Sequence, residues 1–551
     1  MKKNCILFTC LFLSSISFSQ GFRSWGTYYG GANGDYGVDV STDNTGNVYL
    51  TGITSSTNNI SSGGFQDSIG GNTDAYLAKF DAAGNRLWAT YYGGTDIEYG
   101  TKSAVDASGN IYLAGITSSL AGIDSNGFQS NFAGGAYDVF LVKFDAVGNR
   151  LWATYYGGPG DDVGLVTVDP MGNVYVGGYT NSTSGIASGG FQNTYGGGAQ
   201  DAFLVKFDSA GNRLWSTYYG GADDDYGESI STDASGNIYL GGYTNSTSGI
   251  ASGGFQNIFA GGTSGDAFLV KFDGAGNRTW ATYYGGAGDE QSYGTATDNS
   301  GNVFLAGQTS SISGIASGGF QNSNGGTDDA FLVKFDSSGN RLWATYYGGS
   351  NLEEGGSVAT DALGNVFLGG DTYCTSGISS GGFQDSLMGL ENEYVVMFGP
   401  NGNRFCATYY GQSHEEDGRI AADNNGNVYL EGNTGSTSGI ASGGFQNVYG
   451  GGGDAYLVKF TPCEGSSSMN EENNKMILNI YPNPSNGIIH ITSGEKIKMI
   501  EIYNVFGEKI SEPILNAEDD HVIDLSAYAK GIYFIRVKSN SGWYSQKIIK
   551  E

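Results

Sequence analysis

From Trp25 to Phe460, short runs of aromatic and β-branched residues alternate with glycine-rich polar stretches, and nowhere does the apolar spacing follow a helical period. The pattern therefore predicts strands and no helices. Four runs recur in fixed order. In the copy that starts at Trp215 they are Trp-x-Thr-Tyr-Tyr (strand b), Ser-Ile-Ser-Thr before Asp233 (strand c), Ile-Tyr-Leu-Gly-Gly after Asn237 (strand d) and Ala267 to Phe272 (strand a). The set returns every 63 to 65 residues, marked by Trp25, Trp88, Trp152, Trp215, Trp280 and Trp343, and a seventh time with Cys406 in place of tryptophan. A unit repeated at that period buries its apolar face only against its neighbours.

The joints repeat as well. Asp-x-x-Gly-Asn lies between a and b, as at Asp208 to Asn212, and between c and d, as at Asp106 to Asn110. That spacing suits a hairpin whose aspartate caps a type I turn while the glycine takes the left-handed position. Four antiparallel strands in each of seven units predict a seven-bladed β-propeller. The array begins on a strand b at Trp25 and ends on a strand a at Ala455 to Phe460, so the last a is expected to pair with the first b and close the ring.

Composition narrows the chemistry more than the fold. With 94 glycines and only 7 prolines the chain is turn-rich, while 13% aromatic content excludes simple disorder. The formal charge of −29 lies mostly in the repeats and argues against nucleic acid as a partner. Three histidines, His414, His490 and His521, leave little material for a histidine triad or metal cluster. No nucleophile elbow, phosphate loop or paired-cysteine metal spacing is present in the sequence.

The ends carry their own signals. Residues 1–19 read as a signal peptide, with Lys2 and Lys3, an apolar run from Cys5 to Phe18 and a small-residue exit. The propeller is assigned to 20–462. A polar linker follows at 463–475, and 476–551 loses the repeat and reads as a small β-sandwich. In that last segment Tyr481-Pro482-Asn483-Pro484, Ile502 to Gly507, Ile523 to Ser526, Gly531-Ile532-Tyr533 and Gln546-Lys547-Ile548-Ile549 occur in order. It resembles the C-terminal sorting domain of the type IX secretion system, with Tyr481, Pro482, Asn483, Pro484, Gly531, Tyr533 and Lys547 as its motif residues. The resemblance implies a bacterium of the Bacteroidetes type, Sec export followed by passage through the outer membrane, and the type IX machinery as partner. The repeats resemble the SBBP family of propellers through Thr-Tyr-Tyr-Gly-Gly, Asp-x-x-Gly-Asn-Val/Ile-Tyr and Asp-Ala-Phe-Leu-Val-Lys-Phe. That likeness implies the fold and leaves function open.

The polar feature that repeats best is the b–c connection. Asp35, Asp96, Asp161, Asp223, Asp289, Glu353 and Glu415 are expected on one face of the ring as a crown of carboxylates, a candidate cation site with calcium as the candidate cofactor. The alternative is a solvated acidic rim. The long d–a connection repeats Gly-Ile-Ala-Ser-Gly-Gly-Phe-Gln, with its phenylalanine expected between blades. The unit from Ser350 to Gly411 departs most from the consensus, and Cys374 with Cys406 is the expected disulfide, leaving Cys463 free. The function expected is a secreted or surface-attached, monomeric, non-enzymatic propeller for adhesion or for capture of a glycan or protein, with no transmembrane segment. The competing reading is a secreted enzyme on polysaccharide, with b–c carboxylates as acid and base.

Overall fold

The computed structural model describes residues 23–412, 415–463, 478–493, 496–504, 509–511, 513, 520–538 and 543–551. The expected signal peptide, His414 and all but the first residue of the expected linker lie outside them. The chain forms two compact units, Met1–Ser466 and Ser467–Glu551. No helix among the described residues is long and apolar enough to cross a membrane.

The described part of the first unit holds seven four-stranded antiparallel sheets, each ordered c, d, a, b. The first blade is Asp35–Thr42, Val48–Thr54, Asp74–Phe80 and Arg86–Tyr92, and five more follow in sequence. The seventh combines Glu415–Ala422, Val428–Thr434 and Asp454–Phe460 with Arg23–Tyr29 from the start of the array. Its outer ladder runs from Trp25 opposite Lys459 to Tyr29 opposite Ala455, as the strand offset predicts. Strand c of each blade touches strand c of the next, and the seventh returns to the first, so the inner strands surround a central channel.

Strand a is buried on both faces along its whole length, which its nearly continuous apolar sequence requires. Strand b is outermost and would expose an unpaired edge. The long d–a loop covers it: Ser188 pairs with Ser216 and Gln192 with Tyr218, and the same pairing recurs in every blade. The loop phenylalanine then enters the inter-blade seam. Phe191 lies 6.4 Å from Tyr219 of its own blade and 6.4 Å from Phe272 of the next, beneath the Arg278 guanidinium at 4.5 Å.

Neighbouring blades are held by donors to shared carbonyls. Lys143 Nζ and Trp152 Nε1 both donate to Ser209 O in the next blade's a–b turn, each at 3.1 Å. The pattern repeats from Lys79 and Trp88 to Ala146 O, and from Lys271 and Trp280 to Ser337 O. Gly211 in the gripped turn has φ of +87°, and a Cβ there would meet the Trp152 ring at 3.0 Å, so both backbone and packing demand glycine. At the other end of strand b, Tyr156 Oη donates to Ile186 O of the following blade at 2.6 Å.

The sixth blade has nothing to grip in this way. Strand a of the seventh ends at Phe460 and its partner strand b comes from Arg23–Tyr29, so no a–b turn joins them. The two gripping residues change together: Met397 stands at the lysine position and Cys406 at the tryptophan position. Cys406 is bonded to Cys463, just past the end of strand a, with Cα atoms 6.5 Å apart. The expected pair Cys374–Cys406 is thereby corrected. Cys374 is the buried free thiol, and it occupies the site held by Ser56, Ser182 and Ser246 in other blades.

The described part of the second unit has a three-stranded sheet (Leu478–Tyr481, Ile488–Ser493, Asp520–Asp524) and a four-stranded one (Lys509–Ser511, Met499–Asn504, Gly531–Lys538, Trp543–Lys550). Ile489, Ile491, Ile500, Ile535 and Val537 lie in its single apolar core.

Replacing Cys406 by alanine is expected to destabilise the propeller by about 2–5 kcal/mol, the usual loss for a native disulfide. Thermal unfolding with and without reductant measures it; a reductant-insensitive midpoint in the unsubstituted chain would contradict a clamp at this seam.

Candidate functional site

Two sets of acidic side chains emerge from the repeat, and they sit in different surroundings. Strand c begins earlier than its apolar run suggests, so Asp35, Glu98, Asp162, Asp225 and Glu290 are its first residues and are fully buried. Asp35 accepts hydrogen bonds from Gly31 N at 2.6 Å, Ser56 Oγ at 2.7 Å and Thr54 Oγ1. Each faces the aspartate that begins strand a of the preceding blade. A Cβ at Gly157 would lie 2.6 Å from both Asp138 Oδ1 and Asp162 Oδ2, and Gly220 stands in the same way between Asp201 and Asp225. The first glycine of Tyr-Tyr-Gly-Gly is thus needed to let two carboxyl groups approach. Oδ1 of Asp138, Asp201 and Asp266 accepts no hydrogen bond among the described residues. Burial pushes these acids up, to about 7 for Asp138, Asp225 and Asp266 and about 6 for Asp162 and Asp201.

The seven residues expected as a crown divide between these sets. Asp35 begins strand c and Glu353 makes an isolated bridge to Thr372 ahead of a shorter one, both buried, whereas Asp96 and Asp223 are exposed in the b–c loop. Asp161 and Asp289 are partly exposed and tie down the preceding d–a loop: Asp161 Oδ1 accepts from Ala136 N at 2.6 Å and Asp289 Oδ1 from Ser264 N at 2.7 Å. Glu415 begins strand c of the seventh blade. Among the described residues no three His, Cys, Asp or Glu side chains are grouped to hold a metal ion.

The central channel is where the repeat loses its uniformity. A cavity of about 450 Å³ runs along the inner strands, lined by Asp39, Lys102, Leu165, Tyr179, Glu228, Tyr293 and Arg419, mostly from strand c, and onward by Thr42, Thr360 and Ala422. Five inner strands bulge there, between Gly37 and Asp39, Gly100 and Lys102, Gly227 and Ser229, Ser292 and Gly294, and Glu416 and Arg419. Bulges re-aim side chains, and here the extra residues include Glu228 and Tyr293. Asp39 accepts from Ser103 N at 2.9 Å, and burial lifts its carboxyl to about 6 against the pull of Lys102 and Arg419. Burial likewise raises Glu228 to about 7, opposed by Arg419, and lowers Lys102. Arg419 Nη1 donates to Gly356 O. Tyr226 stacks on Tyr243 at 4.7 Å with planes 19° apart, and Tyr179 meets Tyr226 edge-on at 5.2 Å. Nearer the far exit the channel is plain, with threonines such as Thr297 and Thr360 bonding across blades to Thr232 O and Thr297 O.

Sequence reasoning missed this site because it weighed residues repeated in every unit. The signal was the opposite one: position by position, strand c is where seven near-identical units disagree.

In the second unit the expected motif residues are distributed over both sheets. Tyr481 is half exposed and stacks on His490 at 5.4 Å, and Asn483 Oδ1 accepts from Ile549 N at 2.9 Å. Pro482 and Pro484 flank Asn483, Gly531 opens a strand at φ of +154°, buried Tyr533 donates to Ala529 O at 2.6 Å, and Lys547 lies opposite Phe534.

Taken together, these features define an exported β-propeller. A sequence model of the beta-propeller repeat, SBBP, matches residues 151–185 and 214–250, and the secretion system C-terminal sorting domain matches 479–551. The chain carries SBBP repeats and ends in a type IX sorting domain, which directs export to the outer surface or the medium. Among curated proteins it is similar to the uncharacterized WD repeat-containing protein L264 of Acanthamoeba polyphaga mimivirus, 26% identical over 416 residues, 61% of this chain and 29% of that one. Regulatory protein FlaEY of Caulobacter vibrioides is 29% identical over 163 residues, 28% of this chain and 17% of that one. The chain thus spans less than a third of the length of either relative. Similar solved structures include YCF48 bound to D1 peptide, with 9% identity, 82% and 100% of the two chains covered and a TM-score of 0.39. Polysaccharide lyase Uly1 is another, at 8% identity, 80% and 98% coverage and a TM-score of 0.40.

Two expectations follow. The inter-blade acids lose protons at about pH 4 when unfolded but only at about 6 to 7 in the fold. The folded state holds more protons across that window, so stability falls as pH rises through it and stays lower above. Asp201→Asn, which copies the natural Asn392 of the sixth blade, is expected to raise the thermal midpoint by a few degrees at pH 8 and to leave pH 5 unchanged; higher stability of the unsubstituted chain at pH 8 than at pH 5 would refute this account. Separately, a chain lacking 476–551 is expected to accumulate inside the outer membrane, which cell fractionation reads directly; normal release of the shortened chain would contradict the tail's role.

Proposed function

We propose that the protein is a secreted or surface-attached binding propeller without catalytic turnover, serving adhesion or capture of a glycan or protein. One observation carries this reading: a scaffold that otherwise repeats closely lines its channel with charged and aromatic side chains that differ from blade to blade. Structural lining does not need such variety, as the small residues of the lower channel demonstrate. Ligand pockets concentrate a few polar groups in a concave, largely preformed cavity, and this channel has that form. The long d–a loops, by contrast, spend their polar groups on the blade edges.

A second reading has one specific observation in its favour. Asp39 and Glu228 share the cavity, and their raised carboxyl pKa values are what the general acid of a carboxyl pair acting on polysaccharide needs.

Incubating the mature secreted chain with polysaccharide and protein panels separates the two. Retention on immobilised ligand without release of soluble fragments is the expected result. Fragment release that disappears in Glu228→Gln would establish the enzyme instead.

A further inference from the structure

Resting on the binding reading above, we infer that the upper channel is the ligand site and that its ligand is a neutral, polyhydroxylated molecule, a sugar unit of a glycan. The channel wall holds unspent hydrogen-bonding capacity. The Lys102 ammonium and the Glu228 carboxylate line the cavity, and neither makes a hydrogen bond among the described residues. One presents donors only and the other, when ionised, acceptors only. Asp39 spends one oxygen on Ser103, and Arg419 spends one nitrogen on Gly356 O. The site therefore offers both donors and acceptors on the wall of one cavity.

A sugar hydroxyl is both donor and acceptor, so vicinal hydroxyls satisfy such a mixture without bringing charge. Charge balance favours the same ligand. Acids and bases are mixed there, Asp39, Glu228 and the neighbouring Glu354 with Lys102 and Arg419, so a ligand of either single charge meets repulsion as well as attraction. An anionic ligand would also have to approach a chain of net charge −29. A cationic one would meet Lys102 and Arg419 at the level where it must settle. The aromatic wall supplies the remaining element: Tyr179 and Tyr293 line the cavity, and the apolar face of a pyranose packs on such rings. The channel cavity, about 450 Å³ with its threonine-lined part included, falls within the range of roughly 300–1,000 Å³ typical of small-ligand sites, so it takes a short terminal stretch and not a folded protein. Bulges in five inner strands at this one level show that the backbone itself is shaped to deliver these side chains.

Calorimetric titration of the full secreted chain with neutral gluco-, manno- and galacto-oligosaccharides, each set against its uronic-acid and amino-sugar counterparts, tests the inference. At least one neutral series is expected to bind, with affinity reduced tenfold or more in Glu228→Gln and in Lys102→Met and unchanged in Ile258→Ser on an exposed outer loop. Tyr293→Phe, which removes a single hydroxyl, guards against loss of folding in the charge variants, and thermal midpoints confirm each fold. Undiminished binding by all channel variants would place the site elsewhere, overturning this inference while leaving the binding reading intact. Binding confined to uronic acids or amino sugars would overturn the ligand class. Failure of every sugar, with retention on a protein panel, would overturn the inference and keep the propeller a protein-capturing module; failure on both panels would remove the binding reading as well.

Discussion

One carbonyl in each a–b turn accepts two hydrogen bonds from the blade before it, one from a lysine ammonium and one from a tryptophan indole, and the ring depends on that shared acceptor. Its two lone pairs are used at once, so a partly buried backbone group is satisfied without water. The lysine is costly to desolvate, and burial lowers its pKa. It is compensated by a second contact: Lys334 Nζ lies 3.0 Å from Asp298 Oδ2 in its own c–d turn, and Lys143 and Lys271 approach Asp106 and Asp233 at 4.0 and 3.8 Å. Each lysine thus joins the inner hairpin of one blade to the outer hairpin of the next. A single hydrogen bond of this kind contributes about 1 kcal/mol net. Repetition at six of the seven junctions turns that modest term into a constraint that runs round the ring, with the disulfide at the seventh.

The same constraint explains the least regular unit. Ring closure by strands from opposite ends of the array removes one a–b turn, and with it one acceptor. A lysine at 397 and a tryptophan at 406 would then point at a missing carbonyl, leaving a buried ammonium without its partner, which is expensive. Methionine and cysteine fill the space instead, among Phe367, Val395, Val428 and Phe460, and the disulfide to Cys463 ties down a strand end that no turn secures. Cys374 has an equally local cause, since its sulfur takes the place of a serine oxygen beside the buried Glu353. What reads in the sequence as specialisation of one sector is the mark of the seam.

The fold was legible because its determinants are local and repeated. Strand identity, the Asp-x-x-Gly-Asn hairpins and the closing pair of strands could all be read from residue type and order; Asp208 Oδ1 indeed caps its turn from Ala210 N and Asn212 N at 2.9 Å each. The start of strand c was not legible, because polar residues such as Asp225 and Glu290 begin it and became buried only through contacts with another blade. The disulfide was misassigned for a related reason: Cys463 lies beyond the last apolar run, and its nearness to Cys406 arises only from packing of the seventh blade on the sixth. The channel escaped notice because its residues share a level in space while lying some sixty residues apart in sequence.

Closure of this kind also orders events along the chain. The strand that completes the seventh blade precedes all the others in sequence, so it must wait without its partner until Asp454–Phe460 has been reached. Contacts of such sequence separation are slow to form, and an unpaired apolar strand is exposed meanwhile. The disulfide adds a second condition, because it persists only in an oxidising compartment. The bond itself joins the sixth blade to the end of the last strand a, and so secures the strand on which the first strand of the array must pair. The last strand a thus carries two tasks that no other copy has, pairing with the first strand of the array and holding the disulfide that replaces the missing turn.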